Sequence, residues 1–266
     1  MSLSDIAKSF VDARQSASAL HEFPGILPED LATGYAIQEA AISLWRDAIA
    51  GWKIGRVPSD LVERLGAPRV TGPIFDQKIQ RLEPGAVALV PVFEGGFAAV
   101  EGEFVARIGH DAPPGKTEWT LEEAEAMVSA LHMGIETAGS PLAIINVLGP
   151  TAVASDFGNN NGLLLGPALE DWRGKAWSDL PCETWIEGTR VGQGTAASVG
   201  GGPTSALCFL LEHLAKRGRP LKEGDWVSTG AATGIHDIFA GEHAVVRFGS
   251  YGELRCKAVR ATSRRD

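Results

Sequence analysis

The sequence predicts an α+β fold in which a largely antiparallel sheet carries a few flanking helices. Glycine is abundant, at 32 of 266 residues, and this frequency indicates many tight turns and more strand than helix. Strand-forming residues dominate residues 86–108 and 225–259. Helical periodicity is clear in only a few segments. Strands accompanied by a few helices indicate one α+β domain with an antiparallel-rich sheet.

The amino-terminal part is predicted to be mainly helical. Residues 3–15 have the pattern of a short amphipathic helix. Residues 27–30 then open a longer helix, in which apolar residues from Leu31 to Trp45 recur at helical spacing. Gly51 is the predicted end of that helix.

A third helix is predicted to begin at Thr120, because Glu123 completes a capping box. Its apolar face includes Val128 and Leu131. The helical period could extend the helix to Ile135, but Gly134, Gly139 and Pro141 indicate that it stops sooner. Glu136 then falls in a short glycine-flanked segment of uncertain type.

The remaining chain is predicted to alternate strands with one more helix. The predicted elements are a loop or turn at 156–162, a buried strand at 163–166, a strand at 182–191, a helix at 204–216, and a hairpin of 245–248 with 254–259. Because no linker is apparent, we expect a single domain over residues 1–266, with a helical part at 1–75 and a β-rich part at 76–266.

Charge and composition exclude several classes of function. The net charge of −9 argues against nucleic acid or an anionic membrane as the main partner, and it is compatible with a bound cation. No apolar run has the length of a membrane span or of a signal peptide core. Cys182, Cys208 and Cys256 are far apart and form no CxxC motif, so we expect free thiols in a reducing cytoplasm.

Two acidic residues stand out in the strand-forming segment 95–108. Glu101 and Glu103 point to the same face of a strand, and Gly102 leaves the opposite face bare. Adjacent carboxylates repel each other and resist burial, so this face is either solvated or occupied by a cation. Oxygen ligands suit a hard ion such as Mg²⁺ or Mn²⁺. The pair alone leaves both interpretations open.

Lys53 lies between Trp52 and Ile54 in a short apolar strand. A lysine in this setting usually extends its ammonium group to water at the strand edge. The functional alternative is a cation held over a substrate anion. Asp76, in the turn after residues 72–75, is by local pattern a turn former.

Other catalytic motifs are incomplete. Residues 109–117 end like a P-loop, but the glycine spacing is wrong and two prolines occupy the loop. Residues 192–197 fit GxGxxA, but no helix begins there. Residues 196–200 miss the first glycine of a nucleophile elbow. The histidines have no metal-binding spacing, and we expect them to be structural.

An ordered set of short motifs resembles the 2-keto-4-pentenoate hydratase family of the fumarylacetoacetate hydrolase superfamily. The motifs are DLATGYAIQ (30–38), GWKIG (51–55), VEGE (100–103), Glu136, GGGP (200–203) and LKEGD (221–225). The resemblance extends from about residue 27 to about residue 259. It implies a fumarylacetoacetase-like fold, a mixed β-sandwich roll with flanking helices.

The resemblance also implies a metal centre. By position, the three carboxylates that bind Mg²⁺ or Mn²⁺ in the family correspond to Glu101, Glu103 and Glu136. The active-site lysine corresponds to Lys53 and the active-site aspartate to Asp76. A small 2-oxo acid can chelate such a cation through its carboxylate and 2-oxygen, which polarises the carbonyl. Relatives are homo-oligomers, and we expect the same here.

The chain departs from the family around the substrate pocket. Family members often carry Asp-Ser-Arg after the third carboxylate, and residues 137–141 contain neither an acid nor an arginine. Arg56 follows the lysine motif, where relatives have Leu-Thr-Ser, and Asn159 stands where many relatives have serine. We predict substrate contacts from Arg56, Asp156, Asn159 and Asn160.

Four functions compete. The first is a hydratase that adds water to a 2-hydroxy-dienoate or 2-oxo-enoate and yields a 4-hydroxy-2-oxo acid. The second is a metal-dependent decarboxylase of the 4-oxalocrotonate type, which calls for a cationic contact to the departing carboxylate. The third is an acylpyruvate-type hydrolase, for which His21 and Glu22 are the available dyad. The fourth is a non-catalytic metal-binding protein. Because Asn159 and Asn160 are neutral and can hold water, the sequence favours hydration.

Overall fold

A computed structural model describes residues 1–263 of the chain. Within this range there are seven α-helices: α1 (Leu3–Ser16), α2 (Leu31–Leu44), α3 (Val62–Leu65), α4 (Leu121–Ala126), α5 (Ile145–Leu148), α6 (Pro150–Ser155) and α7 (Gly202–Lys216). The same residues form thirteen strands: β1 (Ile49–Arg56), β2 (Arg69–Phe75), β3 (Ile79–Arg81), β4 (Val87–Val92), β5 (Phe97–Ile108), β6 (Val128–Ser140), β7 (Asn160–Ala168), β8 (Pro181–Ile186), β9 (Thr189–Thr195), β10 (Trp226–Ala231), β11 (His236–Asp237), β12 (His243–Arg247) and β13 (Glu253–Arg260).

The strands form two mixed sheets. The larger has the order β2-β1-β10-β5-β6-β7-β3, with the short β11 beside β5. Most of its neighbours are antiparallel, whereas β1 with β10 and β3 with β7 are parallel. The smaller has the order β4-β13-β12-β8-β9. The predicted mixed β-sandwich with flanking helices is confirmed.

The main core lies where one face of β5 packs against the smaller sheet. Phe104 of β5 contacts Phe248 edge to face, with ring centroids 5.5 Å apart. A Cβ atom on Gly102 would lie 2.7 Å from the Cys182 sulfur and 2.8 Å from Val246. Glycine is therefore needed where β5 meets the second sheet, and the bare face expected beside the glutamate pair is an inter-sheet contact.

The amino-terminal part contains strands as well as the predicted helices. β1 and β2 both precede residue 76, and they form one edge of the large sheet. The helices α1 and α2 pack beside this sheet in a second apolar cluster that includes Phe10, Ile37 and Phe157. These two helices flank the sheet, and residues 1–75 also supply two of its strands.

The predicted end of α2 at Gly51 is wrong. The helix ends at Leu44, and Gly51 lies inside β1, opposite Trp226 of β10. A Cβ atom on Gly51 would overlap the Trp226 carbonyl oxygen. The glycine allows two parallel strands to approach closely, and the sequence alone cannot distinguish this role from helix termination.

The predicted helical extension after Thr120 is also wrong. α4 stops before Val128, where β6 begins, and Leu131 and Ile135 are strand residues. Hydrogen bonds to β5 and β7 on both edges outweigh the local helical spacing. Glu136 accordingly lies within a long central strand.

Two shorter predictions are refined. The predicted strand at 182–191 is a hairpin, β8 with β9, and the hairpin of β12 with β13 is confirmed. Within residues 1–263, none of the helices has the length and apolar character needed to cross a bilayer.

Candidate metal centre and active-site cleft

Three carboxylates meet on one face of the β5–β6 pair. Glu101 lies directly opposite Glu136 in the antiparallel register, and Glu103 follows two residues along β5 on the same face. One carboxylate oxygen from each lies within 4.8 Å of the other two. All three side chains are buried, with at most 4% of any residue exposed. The solvated-face interpretation of the glutamate pair is therefore wrong.

Glu103 is fixed by an irregularity in the neighbouring strand. The register between β10 and β5 shifts between Ser228 and Ala231. This bulge lets the Ser228 hydroxyl (2.5 Å) and the Gly230 amide (2.9 Å) both donate to the same oxygen of Glu103. Sequence reasoning missed both donors, because a bulge depends on cross-strand register that no local motif reports.

Lys53 is buried beside the carboxylates. Its neighbours across β1 are Gly72 of β2 and Ser228 of β10, which place it over the β5 face. The Lys53 ammonium lies 3.3 Å from Glu136 and donates a 3.3 Å hydrogen bond to the Asn159 side-chain oxygen. Only 3% of Lys53 is exposed, so of the two interpretations of this residue the one in which its ammonium extends to water is excluded.

Glu101, Glu103 and Lys53 have shifted pKa values. Burial and the negative charge of Glu136 raise the pKa of Glu101 to about 8, although Lys53 opposes the shift. Burial, together with Glu136 and Glu101, also raises the pKa of Glu103 well above its usual range. Burial lowers the pKa of Lys53, but the nearby carboxylates, Glu136 first, outweigh it and leave that pKa above its ordinary value.

This donor set fits a divalent cation. When all groups are ionised, three carboxylates and one ammonium carry two excess negative charges, which a divalent cation balances. Each carboxylate has one buried oxygen without a hydrogen-bond partner among residues 1–263: Glu101 Oε1, Glu103 Oε1 and Glu136 Oε2. Buried unsatisfied oxygens are costly in a folded protein, and an oxygen-binding metal satisfies them.

A strained turn places two asparagines at the centre. Phe157, Gly158 and Asn159 all have left-handed backbone conformations, with φ of 53°, 64° and 54°. The turn lies against Gly72, where a Cβ atom would overlap the Phe157 carbonyl oxygen. The close approach brings Asn159 to Lys53, while Asn160 donates a 3.0 Å hydrogen bond to Glu136.

A cleft of about 850 Å³ opens above this centre. Lys53 and Glu101 lie at its floor, and Asn159 donates a 3.1 Å hydrogen bond to Asn146 on its wall. The polar or charged side chains that line it are Lys53, Arg56, Asp60, Arg69, Glu101, Asn146, Asn159, Gln193, Ser198, Thr233 and Asp237. Asn160 does not line the cleft, and its side-chain amide donates a hydrogen bond to Glu136 from outside the cleft.

Two arginines lie at the cleft wall. Arg56 is present as predicted, and it donates a 2.9 Å hydrogen bond to the Ser198 carbonyl. Arg69 was not predicted, and it donates to the Gly200 carbonyl at 2.5 Å. The signal in the sequence for Arg69 is its position, because it is a positively charged residue at the start of a short apolar strand. The cleft therefore has a second arginine beside the predicted Arg56.

Asp76 is not at the site. It follows β2 at the end opposite Arg69, its side chain is exposed, and it does not line the cleft. Lys53 pairs with Gly72, four residues earlier, so Asp76 is about 13 Å away along the strand. Its placement agrees with the local interpretation as a turn residue.

Asp156 is a structural residue. Its carboxylate is bound by the Arg14 guanidinium at 2.5 and 2.9 Å and accepts a 2.6 Å hydrogen bond from Ser140. Only 1% of Asp156 is exposed, and it does not line the cleft. The buried ion pair joins α1 to the 157–159 turn, so the predicted substrate contact is absent.

The acylpyruvate-hydrolase dyad is not assembled. His21 and Glu22 are both exposed in the segment between α1 and α2, and neither lines the cleft. The arrangement gives no support to water activation by this pair.

Comparisons with known proteins find relatives in sequence and in fold. No family model matches the chain. The 2-keto-4-pentenoate hydratase of Paraburkholderia xenovorans (strain LB400) is 25% identical over 256 residues, which cover 94% of this chain and 93% of the relative. The TodF product hydratase of Pseudomonas putida (strain F1) is 24% identical, with 94% and 92% covered.

Solved structures show the same fold. The 4-oxalocrotonate decarboxylase from Pseudomonas putida G7, complexed with magnesium and adipate, superposes with a TM-score of 0.78 at 19% identity, covering 97% of each chain. Fumarylpyruvate hydrolase from Pseudomonas aeruginosa, in complex with Mn²⁺ and pyruvate, gives a TM-score of 0.56 at 16% identity, covering 79% of this chain and 89% of the other. In sequence the chain is similar to 2-keto-4-pentenoate hydratases over 94% of its length, and in fold it is similar to these two solved enzymes.

Proposed function

We propose that the protein is a metal-dependent hydro-lyase that adds water to a 2-hydroxy-dienoate or 2-oxo-enoate and forms a 4-hydroxy-2-oxo acid. The observation that carries this proposal is the buried triad of Glu101, Glu103 and Glu136 with Lys53 at the floor of a cleft. Relatives that are named hydratases and align over most of the chain support the same reaction. We assign Mg²⁺ or Mn²⁺ to the triad.

Some residues of the site would bind the cation, and Lys53 would stabilise the charge that develops during proton transfer. Glu101, Glu103 and Glu136 would hold the cation, which supplies Lewis acidity toward the carboxylate and 2-oxygen of the substrate. Lys53 contributes positive charge where negative charge develops on that oxygen during proton transfer. Because its pKa is raised, Lys53 is an ammonium ion at neutral pH and can donate a hydrogen bond there.

Water must reach the alkene beyond the 2-oxygen. The amide groups of Asn159 and Asn146 line this part of the cleft and hydrogen-bond to each other. Neutral amides both donate and accept hydrogen bonds, so they can hold and orient a water molecule without removing a proton from it. We assign Asn159 to the positioning of Lys53 and of the attacking water.

The second candidate is decarboxylation of a 2-oxo-enedioate. Similarity to the 4-oxalocrotonate decarboxylase fold favours it, and the two arginines on the cleft wall are cations that could contact a second carboxylate. However, a carboxylate held by guanidinium groups is stabilised as an anion, and its charge is lost when CO₂ forms. Binding energy that is stronger in the ground state than in the transition state raises the barrier. The arginines therefore favour a substrate that keeps its second carboxylate.

Two further properties remain predictions. Assembly into a homo-oligomer and a cytoplasmic location follow from the family resemblance and the free cysteines. Among residues 1–263 all three cysteines are free, and Cys182 and Cys256 are buried.

A product analysis tests the proposed reaction. The metal-loaded protein is given 2-hydroxy-2,4-dienoates with and without a second terminal carboxylate, and a 2-oxo-enedioate. Loss of substrate absorbance, CO₂ and hydroxylated product are followed together. We expect 4-hydroxy-2-oxo acid to form in an amount equal to the dienoate consumed. CO₂ release that matches substrate loss, with no hydroxylated product, would assign the protein to the decarboxylases.

A further inference from the structure

Arg56 and Arg69 face each other across two neighbouring strands. Arg56 is the last residue of β1, Arg69 is the first of β2, and the antiparallel register pairs them directly. Like charges directly opposite each other in a sheet are destabilising. In the absence of a bound anion, the positive charges of Arg56 and Arg69 therefore repel each other.

The two guanidinium groups converge on one turn. Arg56 donates to the Ser198 carbonyl and Arg69 to the Gly200 carbonyl. A Cβ atom on Gly200 would lie 3.3 Å from Nη2 of Arg56 and 3.9 Å from Nη2 of Arg69. Both side chains line the cleft that contains Lys53 and Glu101. The backbone carbonyls fix one end of each guanidinium without neutralising its charge.

No carboxylate among residues 1–263 forms an ion pair with either arginine. Asp60 and Asp237 line the cleft, but both are exposed and neither pairs with them. Arg69 is only 8% exposed. Its burial and the positive charge of Arg56 lower its pKa, which shows that the surroundings disfavour the cation. A guanidinium stays charged in proteins, so an anion from outside the chain relieves this position.

The position matches one end of an elongated ligand. Arg56 is three positions after Lys53 in β1, a distance of about 10 Å along the strand. Successive side chains alternate faces, and Arg56 reaches the cleft because β1 ends there and its long side chain turns toward Ser198. The cleft therefore has Lys53 and Glu101 of the glutamate triad at its floor and two arginines at its wall.

We propose that the substrate is a dicarboxylate, a 2-hydroxy-dienedioate or 2-oxo-enedioate whose far carboxylate is held by Arg56 and Arg69. This inference rests on the proposed function, because it takes the 2-oxo acid end to lie at the glutamate triad. Arginine suits this role, since its planar fork of N–H groups matches the two oxygens of a carboxylate. The reaction is unchanged: water adds to the alkene, and both carboxylates are retained.

Calorimetry with two unreactive ligands tests the proposal. 2-Oxoadipate and 2-oxohexanoate share the 2-oxo acid end and the chain length, but only 2-oxoadipate has a far carboxylate. We expect the Mg²⁺-loaded protein to bind 2-oxoadipate at least about tenfold more tightly, as charge-assisted hydrogen bonds to a carboxylate predict. Arg56→Gln and Arg69→Gln should each reduce this ratio severalfold without weakening 2-oxohexanoate.

The variants and ligands distinguish failure of the dicarboxylate proposal from failure of the proposed function. Arg64→Gln removes an exposed positive charge outside the cleft and should keep the wild-type ratio. Arg56 is exposed, so its variant remains informative if loss of the buried Arg69 impairs folding. Equal binding of both ligands by the wild-type protein would overturn the dicarboxylate proposal alone. Failure of both ligands to bind would overturn the proposed function and this inference with it.

Discussion

Lys53 has a clear function only in the context of its neighbours. Its ammonium lies 3.3 Å from Glu136 and 3.3 Å from the Asn159 oxygen, and the residue is almost fully buried. A buried lysine without counter-charges would lose its proton, whereas here the surrounding carboxylates raise its pKa. The residue therefore brings a fixed positive charge to the cleft floor.

We expect Lys53→Met to reduce turnover by about 10²–10³-fold, because one charge-assisted contact to the developing oxyanion is lost. Metal affinity should not fall, since the substitution removes a positive charge next to the cation. Steady-state kinetics and metal titration on the same samples measure both effects. Lys8→Met, on the exposed face of α1, is the matched control. Turnover within a few-fold of wild type would show that Lys53 has no part in the reaction.

At the scale of elements, the site depends on a turn that fits against a strand. Residues 157–159 have left-handed backbone conformations, and Gly72 of β2 leaves room for the Phe157 carbonyl. The turn holds Asn159 beside Lys53 and leads into Asn160, which contacts Glu136. The strand and the turn together set the positions of both asparagines.

Gly72→Ala should push this turn away from β2, because the added methyl group overlaps the Phe157 carbonyl oxygen. We expect a loss of about 1–3 kcal/mol in the free energy of unfolding and a clear loss of turnover. Chemical denaturation and kinetics measure the two effects. Ile74→Val on the same strand is the control, since it should cost about 1 kcal/mol and leave turnover near wild type. A stable and fully active Gly72→Ala protein would contradict the account of the turn.

Helix α7 carries a titratable group away from the cleft. His213 stacks on Phe209 at 5.5 Å and lies 4.7 Å from the Tyr35 ring. Burial, and then the positive charges of Arg217 and Lys216, lower its pKa to about 4. Between about pH 6.5 and pH 4 the unfolded chain binds this proton more readily than the folded one, so stability is lost as the pH falls.

His213→Phe should remove this part of the pH dependence. We expect the free energy of unfolding of the wild-type protein to fall by about 2 kcal/mol more than that of the variant between pH 7 and pH 4. Denaturation curves at several pH values, with the exposed His21→Phe protein as control, isolate the contribution of His213. Parallel pH profiles for wild type and His213→Phe would show that the histidine is not held neutral.

At the scale of the whole molecule, local patterns predict part of the site and the two-sheet packing determines the rest. Strand alternation places Glu101 and Glu103 on one face, and the ordered motifs add Lys53 and Glu136. The buried position of Glu136 opposite Glu101 depends on the pairing of β5 with β6, which no local pattern encodes. The helical spacing around Leu131 predicts the wrong element for the same reason.

The errors at the site have a common physical origin. Asp76 and Asp156 are both close in sequence to the matching motifs. However, Asp76 lies beyond the far end of β2, and the carboxylate of Asp156 is paired with Arg14. Arg69 looks like a surface residue at a strand end until its register with Arg56 is known. Distances between segments remote in sequence decide all three cases.

The central claim is that the three buried glutamates hold a divalent cation. The most direct measurement is a Mn²⁺ titration, followed by electron paramagnetic resonance, of wild type, Glu101→Gln and Glu118→Gln. Glu118 is exposed and outside the cluster, so its variant controls for the loss of one acidic charge. We expect wild type and Glu118→Gln to bind one Mn²⁺ per chain. Glu101→Gln should bind at least about tenfold more weakly, because one of three charged oxygen ligands becomes neutral. Its metal-free form should unfold at no lower a temperature than wild type, since the substitution removes a carboxyl group whose ionisation is disfavoured by burial. Wild-type Mn²⁺ affinity in folded Glu101→Gln would contradict the claim.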